Sequence, residues 1–303
     1  MAEGLRWTDL IDPTEDELRA ALPDALHPTA LGILRAPPLH DDEPRPRIDS
    51  HGDYIVGVLL VPVSVGHENR VYYQEVDFVL TTGRLVTVSK TPPGEEPFDP
   101  ISAKNACRPD DPTGMYLYRL VDEVAERFLD LVDNLDDEVD ELEDAVEEWH
   151  PGAIRDRISR LRHDLLHVRR TLAPTRDAVR QIVDNRIEVD GEEVFPRDVE
   201  LHFADAYDKL LRASEGLDAT RELVAGVRDY FQAKVSIDQN EVMKRLTMIA
   251  SLLLLPTFIV GLYGQNFRRI PELHWGFGYA WSWALIILTT IAQLVFFRRK
   301  RWF

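Results

Sequence analysis

The sequence has one cysteine, Cys107, in 303 residues. That excludes an intramolecular disulfide and a cysteine-built metal cluster, and it fits a reducing compartment. A basic surplus is also missing. Acids outnumber bases 53 to 35, for a formal net charge of -18, whereas a nucleic-acid binder needs a positive face. The acidity itself is open between a solubility device and a role in gathering cations. The opening residues MAEGLRWTDL hold neither a basic start nor an apolar core, so no signal peptide is expected and the soluble part is expected to stay in the cytoplasm. No Gly-rich phosphate loop and no nucleophile–base pairing occurs, so no enzyme is expected. The length allows one or two domains.

The chain does have two long apolar runs near its end. The stretch Asn240 to Asn266 reads NEVMKRLTMIASLLLLPTFIVGLYGQN, and no side chain from Leu246 to Leu262 is charged. With its flanks the run reaches roughly 20 residues, enough at about 1.5 Å per residue to cross a ~30 Å hydrocarbon core. A second run, Tyr279 to Phe297, is followed at once by Arg298-Arg299-Lys300-Arg301. Together they predict a hairpin in the lipid bilayer. Lys244 and Arg245 before the first span, and the basic cluster after the second, put both termini on the cytoplasmic side by the positive-inside rule. The Phe267 to Gly278 loop is then outside, with Trp275, Tyr279, Trp281 and Trp283 as an aromatic belt.

Ahead of the hairpin, residues 1–113 read as a cytoplasmic α/β domain. Leu5 to Leu10 is a strand candidate, and Asp12 to Glu17 opens a helix over Leu18 to Leu22, with a Thr14/Glu17 capping box. Residues 36–50 read as a loop. Three β-rich runs follow, Tyr54 to Val61, Val71 to Leu80 and Leu85 to Val88, the last two joined by a tight turn at Thr82-Gly83. Residues 91–113, rich in Pro, Asp and Gly, read as the boundary. From Met115 the period becomes helical: Leu117, Leu120, Val121, Val124, Phe128, Leu131, Val132, Leu135, Val139, Leu142 and Val146 form one stripe. A second helix, Ala153 to about Val183, carries Ile154, Ile158, Leu161, Leu165, Val168 and Leu172. Its Arg155, Arg157, Arg160, Arg162, Arg169 and Arg170 are expected to pair with the acidic face of the first. A third helix starts after Phe195-Pro196 and, unbroken to Gly261, would be on the order of 100 Å long. The fold class is therefore an α+β membrane protein: the α/β domain, a long-helix region with a stalk helix over 114–243, and a transmembrane hairpin over 244–303 with spans near 245–263 and 279–297.

The first span has a pattern of its own. Asn240, Met243, Thr247, Ala250, Leu254, Thr257 and Gly261 follow a 3-4-3-4-3-4 spacing. This stripe is smaller and more polar than the remaining helix. In lipid such a stripe is either a helix-packing seam or one side of a water-filled path. Two spans cannot enclose a pore, so a pore requires a ring of copies. At the outer end, Gly264-Gln265-Asn266 would offer helix-end carbonyls and Asn266 amides. These are neutral oxygen ligands suited to a hard, hydrated cation such as Mg2+. Leu254, Leu246 and Met243 would place apolar rings on the axis, read either as a dewetting gate or as ordinary core.

NEVMK, the run TF-I-x-G-L-Y-G-x-N, the PEL-x-W loop and the basic stop resemble the CorA-type divalent-cation transporters. The resemblance implies a homopentamer with the first span on the axis and the second facing lipid. It assigns Gly264 and Asn266 to hold the entering hydrated ion, Asn240 and Thr257 to polar pore positions, and Leu254 and Met243 to the gate. Mg2+ is the implied cargo, with Co2+ and Ni2+ as further candidates; no tightly bound cofactor is implied. Gln265 departs from the family's usual Gly-Met-Asn, as the middle residue also does in ZntB-type zinc transporters, and Arg268 and Arg269 outweigh Glu272 in the outer loop. Both departures motivate the alternative of zinc transport, including proton-coupled transport. A non-conducting membrane-anchored sensor or scaffold is the rival of another class. Asp205 matches an acid that in the family helps bridge subunits through a regulatory cation. Its partner acids are missing, because the chain reads Leu31-Gly32-Ile33-Leu34 there. His163 and His167, four apart, and the ten acids between Asp133 and Glu148 are weaker metal candidates, set against a solvated helix face.

Overall fold

The computed structural model describes residues 6–23, 26–38, 43–65, 70–190, 193–266, 268 and 270–302. The expected strand start at Leu5, and Phe267 and Arg269 of the outer loop, lie outside the described residues. The chain divides into two compact units, Met1–Arg228 and Asp229–Phe303.

The first unit is built on a five-stranded sheet of β1 (Trp7–Ile11), β2 (Arg47–Ser50), β3 (Ile55–Val65), β4 (Arg70–Leu80) and β5 (Leu85–Lys90), in the order β1-β5-β4-β3-β2. β1 runs parallel to β5, and every other pair is antiparallel. The Thr82-Gly83 turn closes β4 onto β5 with Thr81 N–H donating to Arg84 O at 3.0 Å. Strands β4 and β5 are buried on both faces, and they bury polar side chains there as well as apolar ones: Gln74, Glu75, Asp77, Thr87, Ser89 and Lys90 lie inside. On one face lie α1 (Glu15–Ala21) and α2 (Pro28–Arg35), whose Leu18, Ala30 and Leu34 pack on Val56, Val79, Val86 and Val88. The capping box at α1 is present in full: Thr14 and Glu17 each accept from the other's backbone N–H. α2 begins with His27 Nδ1 accepting from Thr29 N–H, followed by Pro28, which has no amide hydrogen to leave unpaired.

α3 (Ile101–Asn105) leads into α4 (Thr113–Ala145), which crosses the other face of the sheet, and α5 (Pro151–Val183) returns beside it. All eleven apolar positions expected on α4 and all six on α5 are buried. α5 repeats the start of α2, with His150 Nδ1 accepting from Gly152 N–H ahead of the helical turn that holds Pro151. Gly114 sits where a side chain is impossible, because a Cβ would lie 2.2 Å from the Val194 carbonyl.

Three readings are corrected here. The loop expected at 36–50 holds β2, the boundary expected at 91–113 holds α3, and α2 stands in a stretch to which the sequence reading assigns no element; each is too short, at four to eight residues, to show a period. The strands also run further than their apolar runs, because pairing continues through Val63, Ser64 and Lys90. The expected α4–α5 charge zipper is limited: Arg157 meets Glu138, but Arg155, Arg160, Arg162, Arg169 and Arg170 face solvent. Part of the acidic face of α4 turns instead to α6 (Arg197–Tyr263). Lys209 reaches Asp122 at 2.7 Å and also Glu126, and Thr220 donates to Asp136 at 3.2 Å.

α6 is one helix of 67 residues that continues through Pro256. The second unit holds its C-terminal part, a 3-10 turn at Pro271–His274 and α7 (Gly278–Arg299). Among the described residues, α6 and α7 are the two helices long and apolar enough to cross a membrane.

Candidate functional site

The end of α6 shows three different faces. Met248 and Ile259 are buried, with Ser251, Leu252 and Leu255 half-buried between them. This is the side turned to α7, where Gln293 Nε2 donates to the Ser251 carbonyl at 3.1 Å. The stripe of Asn240, Met243, Thr247, Ala250, Leu254, Thr257 and Gly261 lies roughly 130° around the helix, at about 100° per residue. Every member of it is exposed, Leu254 by 71%, and so is Leu246 at its border. The third face carries Ile249, Leu253 and Val260, large and exposed. The stripe is therefore not the seam that holds this hairpin together.

The local chemistry of the stripe is specific. Thr257 Oγ1 donates its proton to the Leu253 carbonyl at 2.6 Å. Its oxygen is left with only lone pairs to offer outward, which is what a cation's hydration water can donate to. Pro256 lacks the N–H that would otherwise bond the Leu252 carbonyl. At the C-terminal end of α6, Gly264 N–H closes onto Val260 O at 2.9 Å and Gln265 N–H onto Leu262 O at 3.4 Å. The helix stops at Tyr263, and Gly264, Gln265 and Asn266 are exposed. Gly264 is outside the left-handed region, so its φ does not demand glycine; a Cβ there would lie 3.3 Å from the Val260 carbonyl, a tight fit.

The turn between α6 and α7 is fixed by backbone. Trp275 N–H donates to the Glu272 carbonyl at 3.3 Å, and a Cβ on Gly278 would stand 2.2 Å from that same oxygen. Glu272 is half-buried, and Arg268 is exposed. Trp275 packs on Phe277 and Trp281 at 5.2 and 6.3 Å. At the far end of α7, Arg301 N–H bonds Arg298 O and Trp302 N–H bonds Phe297 O, while Trp302 stacks on Phe297. This is a Schellman end with its hydrophobic contact, formed with Arg301 at φ 55°.

Asp205 is exposed on α6, and Gly32 on α2 has open space where a side chain would stand. The His163 and His167 rings are 6.3 Å apart, and His167 Nε2 lies 3.0 Å from Glu43. Among the described residues no group of three or more His, Cys, Asp or Glu side chains is placed to hold a metal ion.

Residues 2–299 match the family described as CorA-like Mg2+ transporter protein. The chain belongs to that family. It is 29% identical over 299 residues to YfjQ of Bacillus subtilis, covering 98% of this chain and 89% of that protein. It is 30% identical over 186 residues to the cobalt/magnesium transport protein CorA of Thermotoga maritima, covering 61% of this chain and 52% of that one. The complete structure of the CorA magnesium transporter from Methanocaldococcus jannaschii superposes with a TM-score of 0.79 at 22% identity, covering 98% of this chain and 91% of the other. The expected family and architecture are borne out: an α/β domain, long helices and two C-terminal apolar helices in a transporter family of membrane proteins.

One feature of this CorA-like chain escaped the sequence reading. The spacing of the stripe does not begin at Asn240. Ala219, Leu223, Gly226, Tyr230, Ala233 and Ile237 lead into it at steps of 4-3-4-3-4-3, and all six are exposed, while Leu217, Thr220, Val224 and Val227 on the other side of α6 are buried. A repeat of about 3.5 residues sustained over so many turns is the period of a helix that packs against other helices. The signal was present, but Arg and Asp residues between its members hide it from a hydropathy scan.

Proposed function

We propose that this CorA-like transporter conducts hydrated Mg2+ through a pore made by a ring of copies, most simply a homopentamer, with α6 at the axis and α7 toward lipid. The observation that carries this is the exposed stripe from Asn240 to Gly261, which its own hairpin leaves uncovered. In a bilayer, small and polar positions are stable only against other helices or water. The 3.5 period upstream supports the same α6 face as the one where copies meet. Both termini are then cytoplasmic, as the flanking charges require.

At the outer end, carbonyls and Asn266 amides provide neutral oxygens that replace second-shell water rather than strip the ion, consistent with the reluctance of Mg2+ to dehydrate. Gly264, Gln265 and Asn266 form that mouth, Thr257 and Asn240 are the polar positions further in, and Leu254, Leu246 and Met243 are apolar constrictions that can close by dewetting. Ala250 and Gly261 keep the helices close. An inside-negative potential supplies about 2.3 kcal/mol per charge per 100 mV, twice that for a dication. No resident cofactor is needed.

Uptake of Mg2+, Co2+, Ni2+ and Zn2+ into liposomes holding the purified protein, with and without a pH gradient, tests the proposal. Magnesium flux indifferent to pH, lost in Asn266→Ala with assembly intact, is the expected result. Zinc flux that follows the proton gradient would instead give weight to Gln265 and Arg268 as marks of a zinc transporter. No flux of any ion would leave the α6 face as a seam in a non-conducting assembly.

A further inference from the structure

The chain is acidic by 18 charges, yet four arginines converge on one cavity of its first unit. Arg162 and Arg169 on α5, and Arg221 and Arg228 on α6, line a groove of about 570 Å3. Each pair is seven residues apart, two helical turns, so the two guanidinium groups of a helix share one face roughly 10 Å apart along its axis. Among the described residues, only two carboxylates, Asp218 and Glu222, line the same groove, which is therefore positive. Asp218 is already divided between Arg221 at 3.2 Å and Arg169 at 3.9 Å. Arg162 has no ion-pair partner among the described residues.

The walls between the arginines are apolar. Leu165 and Val224 are buried beneath the groove, and Leu166 stands 46% exposed at its side. Arginine forks match phosphate oxygens in pairs, and repeated forks on two facing helices suit a chain of phosphates better than a single one. A volume in the range of small-molecule sites, with an apolar wall beside the charges, also leaves room for a flat ring.

We propose that the α5/α6 groove binds a polyphosphate-bearing anion, of the nucleotide triphosphate class, in its metal-free form. The preference for the metal-free form follows from the lining. A magnesium complex carries two fewer negative charges, and the groove has no uncommitted pair of carboxylates to hold the ion. Magnesium therefore competes with the groove for the ligand, and occupancy rises when magnesium is scarce. The link of that occupancy to ion flux rests on the transport reading above; the binding itself does not.

Binding is measured calorimetrically on the purified full-length protein in detergent, with inorganic triphosphate and then ATP as probes. The expected result is a saturable site, weakened by salt and by excess Mg2+. In Arg162→Gln/Arg169→Gln the affinity falls about tenfold or more, as the loss of charge-assisted forks requires. It is unchanged in Arg155→Gln, on the same helix but outside the groove. Leu166→Ser lowers affinity for ATP and not for triphosphate. The same titration in nanodiscs separates two sources of the phosphate. Competition by phosphatidylglycerol, removed by the double substitution, assigns the groove to a lipid headgroup, and equal affinity in phosphatidylcholine and phosphatidylglycerol assigns it to a free polyphosphate. Absence of saturable binding, or wild-type binding by the double variant, overturns the proposal whether or not the protein conducts ions.

Discussion

Replacing Asp77 by Asn should make the first unit more stable at pH 8. Asp77 on β4 is fully buried, and Lys90 on β5 and Glu75 on β4 are nearly so. Lys90 Nζ lies 2.5 Å from Glu75 Oε1, 2.7 Å from Asp77 Oδ2 and 2.9 Å from the Ile33 carbonyl of α2. One ammonium thus serves two carboxylates. The approach to Asp77 is a charge contact without hydrogen-bond alignment, and both Asp77 oxygens are left without a hydrogen bond. Burial pushes the Asp77 pKa up from 3.8 to about 7; Lys90 opposes the rise, and Glu75 adds to it. On the same side of the sheet, Arg47 stands opposite Val58, whose other neighbour is Asp77. A carboxyl whose folded pKa is raised takes up a proton on folding. Its favourable contribution is complete below about pH 4 and is lost as pH rises through about 7.

Asn keeps the shape of the protonated acid and cannot ionise. The gain above pH 7 is on the order of 2–4 kcal/mol, from a shift of about three units at ~1.4 kcal/mol each, less what the carboxylate recovers from Lys90. For a unit of this size that is roughly 5–15 °C in unfolding temperature. The assay is thermal unfolding of wild type and Asp77→Asn between pH 5 and 8.5, with Lys90→Met as the opposite case; Lys90→Met leaves two buried acids and should be less stable throughout. A variant less stable than wild type at pH 8, or one with the wild-type pH slope, would refute the assignment of the proton to Asp77.

Other substitutions probe the hairpin and the stalk. Gln293→Leu removes the hydrogen bond to the Ser251 carbonyl and should cost about 1 kcal/mol, read as a lower detergent-unfolding midpoint with the helix content unchanged. Gly278→Ala should displace the outer turn, since its Cβ would meet the Glu272 carbonyl at 2.2 Å; tryptophan fluorescence of the Trp275–Trp281 pair should shift, and flux should fall. Asp205→Ala should leave the magnesium dependence of the current almost unaltered, because the α2 position that would face such a site is Gly32.

How legible the protein was depends on length and period. α4 and α5 carry a helical stripe over 33 residues each, and the 67 residues of α6 hold no other proline than one inside the apolar span, so all three could be read directly. β2 could not: of Arg47 to Ser50 only Ile48 is buried, and the strand exists because β3 offers it an edge. Charge was the weakest guide. The arginines of α5 looked made for the acids of α4, but helix rotation turns most of them away, and the acids find Lys209 and Thr220 on α6 instead. At the candidate site the stripe was visible in the sequence; that it faces away from α7 was not, since packing of Met248 and Ile259 decides the rotation.

The central claim is that the exposed stripe of α6 lines a water-filled ion path. With Cys107 as the only cysteine, a cysteine-free background needs one substitution. Single cysteines at Ala250 and Thr257, on the stripe, and at Ile249 and Leu253, on the apolar face, are then exposed to a water-soluble thiol reagent in liposomes while Mg2+ flux is followed. The account predicts that Ala250→Cys and Thr257→Cys react and lose flux, while Ile249→Cys and Leu253→Cys neither react nor lose it. Reaction confined to the apolar face, or block of flux from both faces alike, would contradict it.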